Sequence, residues 1–157
     1  MGATMKKLNF STLFALQFLI IGVVIGIFIS MNATSDDYRF FYIYSGTSGF
    51  ITAWLTSYFL IERPNKQTDS RFVLTTIIVG LFSHWLCWYL IDIELNIRYY
   101  IFNEYFFEPP MNLLISIYGV FTLCIWSWMF FGWATGFGAA LTLYSTKTIK
   151  RGINKQL

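Results

Sequence analysis

The chain has 157 residues, of which 56% are hydrophobic, 21% aromatic and only 12% charged, with a formal net charge of +3. Soluble domains carry about 25% charged residues, so about half the usual solvating charge is missing and a water-soluble globule is excluded. Intrinsic disorder is excluded with it, because that state needs low hydrophobicity and a high net charge.

A helix rises 1.5 Å per residue and the hydrocarbon core of a bilayer is about 30 Å thick, so a membrane span needs an apolar run of about 20 residues. The first such run is 13–31, preceded by Lys6 and Lys7. A basic pair before an apolar stretch also describes a secretory signal, yet no A-x-A site follows Met31, so an uncleaved span is expected. Met5-Lys6-Lys7 reads as a bacterial start. The second run is 40–61, the third 72–93, and the fourth 111–144, which is longer than a bilayer requires. Between the third and fourth lies an aromatic connection, 94–110, with Tyr99, Tyr100, Phe102, Tyr105, Phe106 and Phe107. Amphipathic rings favour the headgroup layer, so this loop is expected along the outer interface. A basic tail, 145–157, closes the chain, with Ile149, Ile153 and Leu157 as an apolar stripe beside Lys147, Lys150, Arg151 and Lys155. Strand-type alternation in ten-residue segments is absent. The expectation is a single all-α domain over 1–157, an integral membrane bundle of four transmembrane helices.

Charge sets the orientation. Lys6 and Lys7, then Arg63, Lys66 and Arg71, then Lys147, Lys150, Arg151 and Lys155 fall on one side of such a bundle, against Arg39 and Arg98 on the other. Asp36, Asp37, Asp92, Glu94, Glu104 and Glu108 crowd the side that is poor in basic residues. Basic loops stay inside, so both termini and the 62–71 connection are expected in the cytoplasm, with the protein in a bacterial inner membrane. Arg63, Lys66, Arg71, Lys147, Lys150, Arg151 and Lys155 then form a surface for anionic lipid or a cytoplasmic protein partner. Glu104, Glu108, Tyr105 and Phe106 are the candidate outer-face contacts.

Small residues recur at four-residue spacing: Gly22 and Gly26 in the first span, Ser45, Gly49, Ala53 and Ser57 in the second, Gly132 and Gly136 in the fourth. Lipid tails provide no hydrophobic drive between helices, so close backbone approach through small residues must supply the contact. These are packing seams, either within one chain or between copies in a homo-oligomer. Six tryptophans, Trp54, Trp85, Trp88, Trp126, Trp128 and Trp133, sit mostly away from the span ends. Core packing is the expected role for them.

His84 is the one ionisable side chain well inside a span, with Trp88 one turn along the same face. An intramembrane ionisable group is a functional-site candidate by default. The alternative is a neutral imidazole bonded to a hydroxyl such as Ser83, Thr122 or Ser127. Catalysis has little to work with: there is no G-x-S-x-G, no nucleotide loop, and no C-x-x-C or H-E-x-x-H spacing. Asp92 and Glu94 read as markers of a helix end at the interface. Cys87 and Cys124 read as packing thiols. Neither an enzyme, a cofactor or metal site, nor direct nucleic-acid binding is expected.

The H-x-x-x-W spacing of His84 and Trp88 is similar to the proton-binding and gating pair of the influenza proton channel, over those five residues. In topology the chain resembles several small bacterial inner-membrane families: the membrane subunit of the Kiwa antiphage system, the immunity proteins of pore-forming colicins, and flippase-type proteins that move polyprenyl-linked sugars. The first resemblance implies an oligomeric, non-enzymatic subunit that senses at the outer face and engages a cytoplasmic partner in antiviral defence. The others imply toxin immunity, or a small flippase or proton- or ion-conducting transporter.

Overall fold

The computed structural model describes residues 9–33, 38–104 and 109–154. They form four α-helices: α1 (Phe10–Asn32), α2 (Phe41–Ser57), α3 (Asp69–Tyr100) and α4 (Leu113–Asn154). A five-residue π-helical turn, Tyr58–Glu62, continues α2 without a break. α1, α3 and α4 are long and apolar enough to cross a membrane. α2 has 17 α-helical residues, about 26 Å at 1.5 Å per residue, and its π turn prolongs it to Glu62.

Each helix packs on its neighbour in sequence, and α1 closes the ring against α4. Side-chain contacts set the directions. At one end the Glu62 carboxylate accepts the backbone N–H of Ser11 at 2.9 Å, capping the N-terminus of α1, where free N–H groups favour an anion. There too the Phe10 ring meets Phe72 edge-on, and Lys147 Nζ lies 3.4 Å from Asp69 and 4.5 Å from the Phe72 ring centroid. The start of α1, the α2–α3 connection and the end of α4 therefore share one end. At the opposite end Ser30 donates to the Tyr38 carbonyl and Asn96 to the Met111 carbonyl. The α2–α3 connection turns at Pro64 and at Asn65, whose positive φ of 50° is the left-handed conformation that asparagine tolerates after a helix end.

Two clusters make the core. Phe10, Phe14, Phe18, Ala53, Ile61, Val79 and Leu143 fill the basic end. Phe41, Cys87 and Ile91, with Trp88 and Tyr38 against them, fill the other. Most large apolar side chains instead face outward, Ile20, Val24, Phe28, Leu114, Ile125, Phe130 and Phe137 among them. In water such a surface would aggregate; in lipid it is the solvent-facing side. α4 is the least buried of the three long helices.

Several expectations need correction. The aromatic connection is shorter than 94–110, because α3 continues through Glu94 to Tyr100. An i,i+4 ion pair between Glu94 and Arg98 at 3.7 Å and the Asn96 side-chain bond to the Asp92 carbonyl at 2.9 Å accompany the added turns. Asp92 consequently does not mark a helix end: it lies two turns inside α3 and is 7% exposed. The basic tail, by contrast, continues the fourth helix as its apolar stripe suggests, to Asn154, and at 1.5 Å per residue the 42 residues of α4 reach about 63 Å, twice the hydrocarbon thickness. Trp54, Trp126, Trp128 and Trp133 face outward rather than into the core, Trp133 being 75% exposed. Lipid imposes no penalty on leaving these four indole rings outside, whereas Trp88 packs inside against Phe41 and Tyr38.

Candidate functional site

His84 stands near the middle of α3 and is 8% exposed. Its Nδ1 lies 2.6 Å from Ser127 Oγ and its Nε2 2.8 Å from Thr135 Oγ1, both on α4. The Thr135 hydroxyl also bonds back to the Phe131 and Gly132 carbonyls at 3.2 and 3.0 Å. A threonine hydroxyl has one proton, and a carbonyl can only accept it, so Thr135 accepts from Nε2–H. Nδ1 then accepts the Ser127 proton. Both ring nitrogens are satisfied by one neutral tautomer, and the imidazole ties α3 to α4. Ser127 was among the expected partners. Thr135 was not, because it lies about two turns further along α4 and only the crossing of the helices brings it to the same ring. Of the other expected hydroxyls, Thr122 is exposed, and buried Ser83 Oγ has no partner among the described residues.

All four helices contribute to a cavity of about 30 Å³ beside His84, lined by Ser45, Ser48, Ser83, Cys87, Ser127 and Thr135 among others. That volume admits a water molecule or two, and the hydroxyls supply the partners a buried water needs. Trp88 also lines this cavity, but its ring packs edge-on against Phe41 and Tyr38, at centroid distances of 5.9 and 6.2 Å, rather than on the imidazole. Cys87 and Cys124 are both free thiols.

Trp88 separates this cavity from a second, wider pocket of about 360 Å³ toward the acidic end, lined by Asp92, Tyr38, Pro110 and Met111 among others. Asp92 and Asn96 are the buried polar pair that sequence reasoning missed. Their i,i+4 spacing on an otherwise apolar helix was the available signal.

The small-residue ladders of α1 and α2 resolve into contacts within the chain. A Cβ on Gly22 would lie 2.6 Å from the Ser45 carbonyl oxygen, and one on Gly26 2.3 Å from Tyr42 Cα. A Cβ on Gly49 would meet Phe18 at 3.2 Å, and Ala53 is fully buried. Gly132 lies under Trp128 of its own helix, while beyond Gly136 there is open space. Gly22, Gly26, Ser45 and Gly49 therefore join α1 to α2, and none of these positions is left over for a partner copy.

At the acidic end Glu104 is engaged by Arg98, whose Nε lies 2.6 Å from its carboxylate. Tyr105, Phe106 and Glu108, the other expected outer-face contacts, lie outside the described residues. At the basic end Arg71 donates to the Leu60 carbonyl at 2.5 Å, Arg63 lies 5.9 Å from the Phe59 ring centroid, and Lys147 pairs with Asp69. Lys66 and Arg151 are exposed, Lys150 is half-buried, and Lys155 lies outside the described residues. Among the described residues no three His, Cys, Asp or Glu side chains gather as a metal site.

No protein-family model matches the chain, and no curated protein or solved structure matches it. What the fold shows is an all-α helical bundle in which three helices are long and apolar enough to cross a membrane, with a hydroxyl-lined cavity inside an otherwise apolar core.

Proposed function

We propose that the protein is a four-span subunit of a bacterial inner membrane, with both termini cytoplasmic, that couples an event at the outer face to a cytoplasmic partner without catalysing a reaction. One observation carries this reading: the bundle gathers Arg63, Lys66, Arg71, Lys147, Lys150 and Arg151 at the end shared by the start of α1, the α2–α3 connection and the end of α4, and leaves Arg39 and Arg98 at the other. The basic end belongs inside. α2, prolonged by its π turn, supplies the fourth crossing. The length of α4 carries Lys150 and Arg151 toward the cytoplasm, where an acidic protein surface is the complementary partner and anionic lipid the competing one. The outward apolar face of α4 is the surface for self-association. Among the families of similar topology, an antiphage subunit of the Kiwa type is the reading we carry forward.

Topology is the first test. In a background lacking Cys87 and Cys124, a cysteine at Asn103 should react with an impermeant reagent in intact cells and one at Gln67 should not. Labelling at Gln67 overturns the orientation. Deleting residues 150–157 should release a soluble protein that co-purifies with the intact chain, and its retention moves the contact to the α2–α3 connection.

A further inference from the structure

We propose that the pocket at the acidic end of the bundle binds an organic ammonium ion, with Asp92 as its counter-charge and the rings of Tyr38 and Trp88 against its apolar shell. The binding site stands apart from the partner reading above; only its placement at the outer leaflet rests on that topology.

Asp92 carries an under-satisfied carboxylate. Asp92 is 7% exposed, and its carboxylate has one hydrogen-bond partner among the described residues, the Asn96 amide at 3.3 Å. That same amide also bonds the Asp92 and Met111 carbonyls, each at 2.9 Å. An amide has two protons for these three acceptors, so the carboxylate receives the longest and weakest bond. A buried carboxylate is costly unless it is paired with a cation, and acidic groups inside membrane helices mark ligand or ion paths. Arg98, six residues further along α3 than Asp92, is engaged with Glu94 and Glu104.

The pocket supplies the rest of the chemistry. Its volume of about 360 Å³ falls in the range of small-molecule sites, and Asp92 is its one charged lining residue among those described. Tyr38, Trp88, Ile91, Pro110 and Met111 present rings and apolar surface. Trp88 is braced edge-on by Tyr38 and Phe41, so the aromatic wall is held in place. A hard metal ion needs several oxygen ligands, which this lining lacks. A cation with a hydrocarbon shell instead gains from the carboxylate and the ring faces together. The ethanolamine headgroup of a lipid and a free amphiphilic amine share that chemistry.

The test uses the whole chain in dodecyl maltoside, a neutral detergent without amines. Choline and its uncharged isostere 3,3-dimethylbutan-1-ol are compared by saturation-transfer NMR on the unaltered protein, so the comparison does not depend on a variant folding. Choline should bind saturably and at least tenfold more tightly than the alcohol. In a folded Asp92→Asn variant the difference should vanish. Displacement of choline by added phosphatidylethanolamine assigns the site to a lipid headgroup, and the lack of displacement assigns it to a free cation. Equal affinity for choline and the alcohol, no saturable binding, or choline binding undiminished in folded Asp92→Asn overturns the proposal.

Discussion

Where α1 meets α2, backbone lies on backbone: Gly22 and Gly26 face Ser45, Gly46 and Tyr42, and the Ser45 hydroxyl donates to the Gly22 carbonyl at 2.8 Å. Where α3 meets α4, side chains reach across a wider gap: His84 to Ser127 and Thr135, Trp85 Nε1–H to the Ile117 carbonyl at 3.1 Å, Asn96 to the Met111 carbonyl, Lys147 to Asp69. The first seam gains its energy mainly from dispersion over a tight fit, the second from polar bonds, of which those of His84 are buried away from water. The hydroxyl-lined cavity lies where the two seams face each other, with Gly22, Ser45 and Gly49 on one wall and His84, Ser127 and Thr135 on the other.

The comparison predicts different failures. Gly26→Leu should be the most damaging change, because its first side-chain carbon would fall 2.3 Å from Tyr42 Cα, a backbone atom that cannot turn aside. Overpacking costs about 1–3 kcal/mol and often more where backbone must move. A large drop in the denaturant midpoint of the detergent-solubilised protein is expected, and wild-type stability would show that the seam can open.

His84→Ala should cost less, about 1–2 kcal/mol, since interhelical hydrogen bonds in membranes average about 0.6 kcal/mol each. A double-mutant cycle with Ser127→Ala isolates one of the two bonds, and a coupling near zero would remove His84 as the tie between α3 and α4. Trp85→Phe retains the ring stacked on Tyr89, 5.4 Å between centroids, and removes only the indole donor. Its expected cost is about 0.5 kcal/mol in the same unfolding assay. At the bottom of the scale, Gly136→Ala meets no atom within 4 Å and should leave the midpoint unchanged. A marked loss there would point to a surface that this chain alone does not fill.

Legibility in the sequence follows the same division. The apolar runs that became α1, α3 and α4 were readable because lipid demands length and low charge, whatever the neighbours are. The small-residue ladders were readable as seams, but not which helices they join, since the same spacing serves contacts within a chain and between chains. Ser127 was a foreseeable partner of His84; Thr135 was not. The outward turn of Trp126 and Trp133 defeated the core reading because aromatic residues gain little from burial when the surroundings are already apolar. A charge in an apolar sequence reads as a helix end, but α3 continues two turns past Asp92 and carries it inside, bonded to Asn96.

By itself the amino-acid sequence determined the medium, the helical class and the segregation of basic from acidic residues, because these depend on local composition and on the cost of bare backbone or charge in hydrocarbon. The tertiary structure alone decided which faces meet: that Gly26 lies against Tyr42, that His84 is shared by two hydroxyls of α4, and that a buried carboxylate lines one pocket with Trp88 and Tyr38. Those pairings depend on crossing geometry between segments distant in the chain, which a one-dimensional pattern of residue types does not encode.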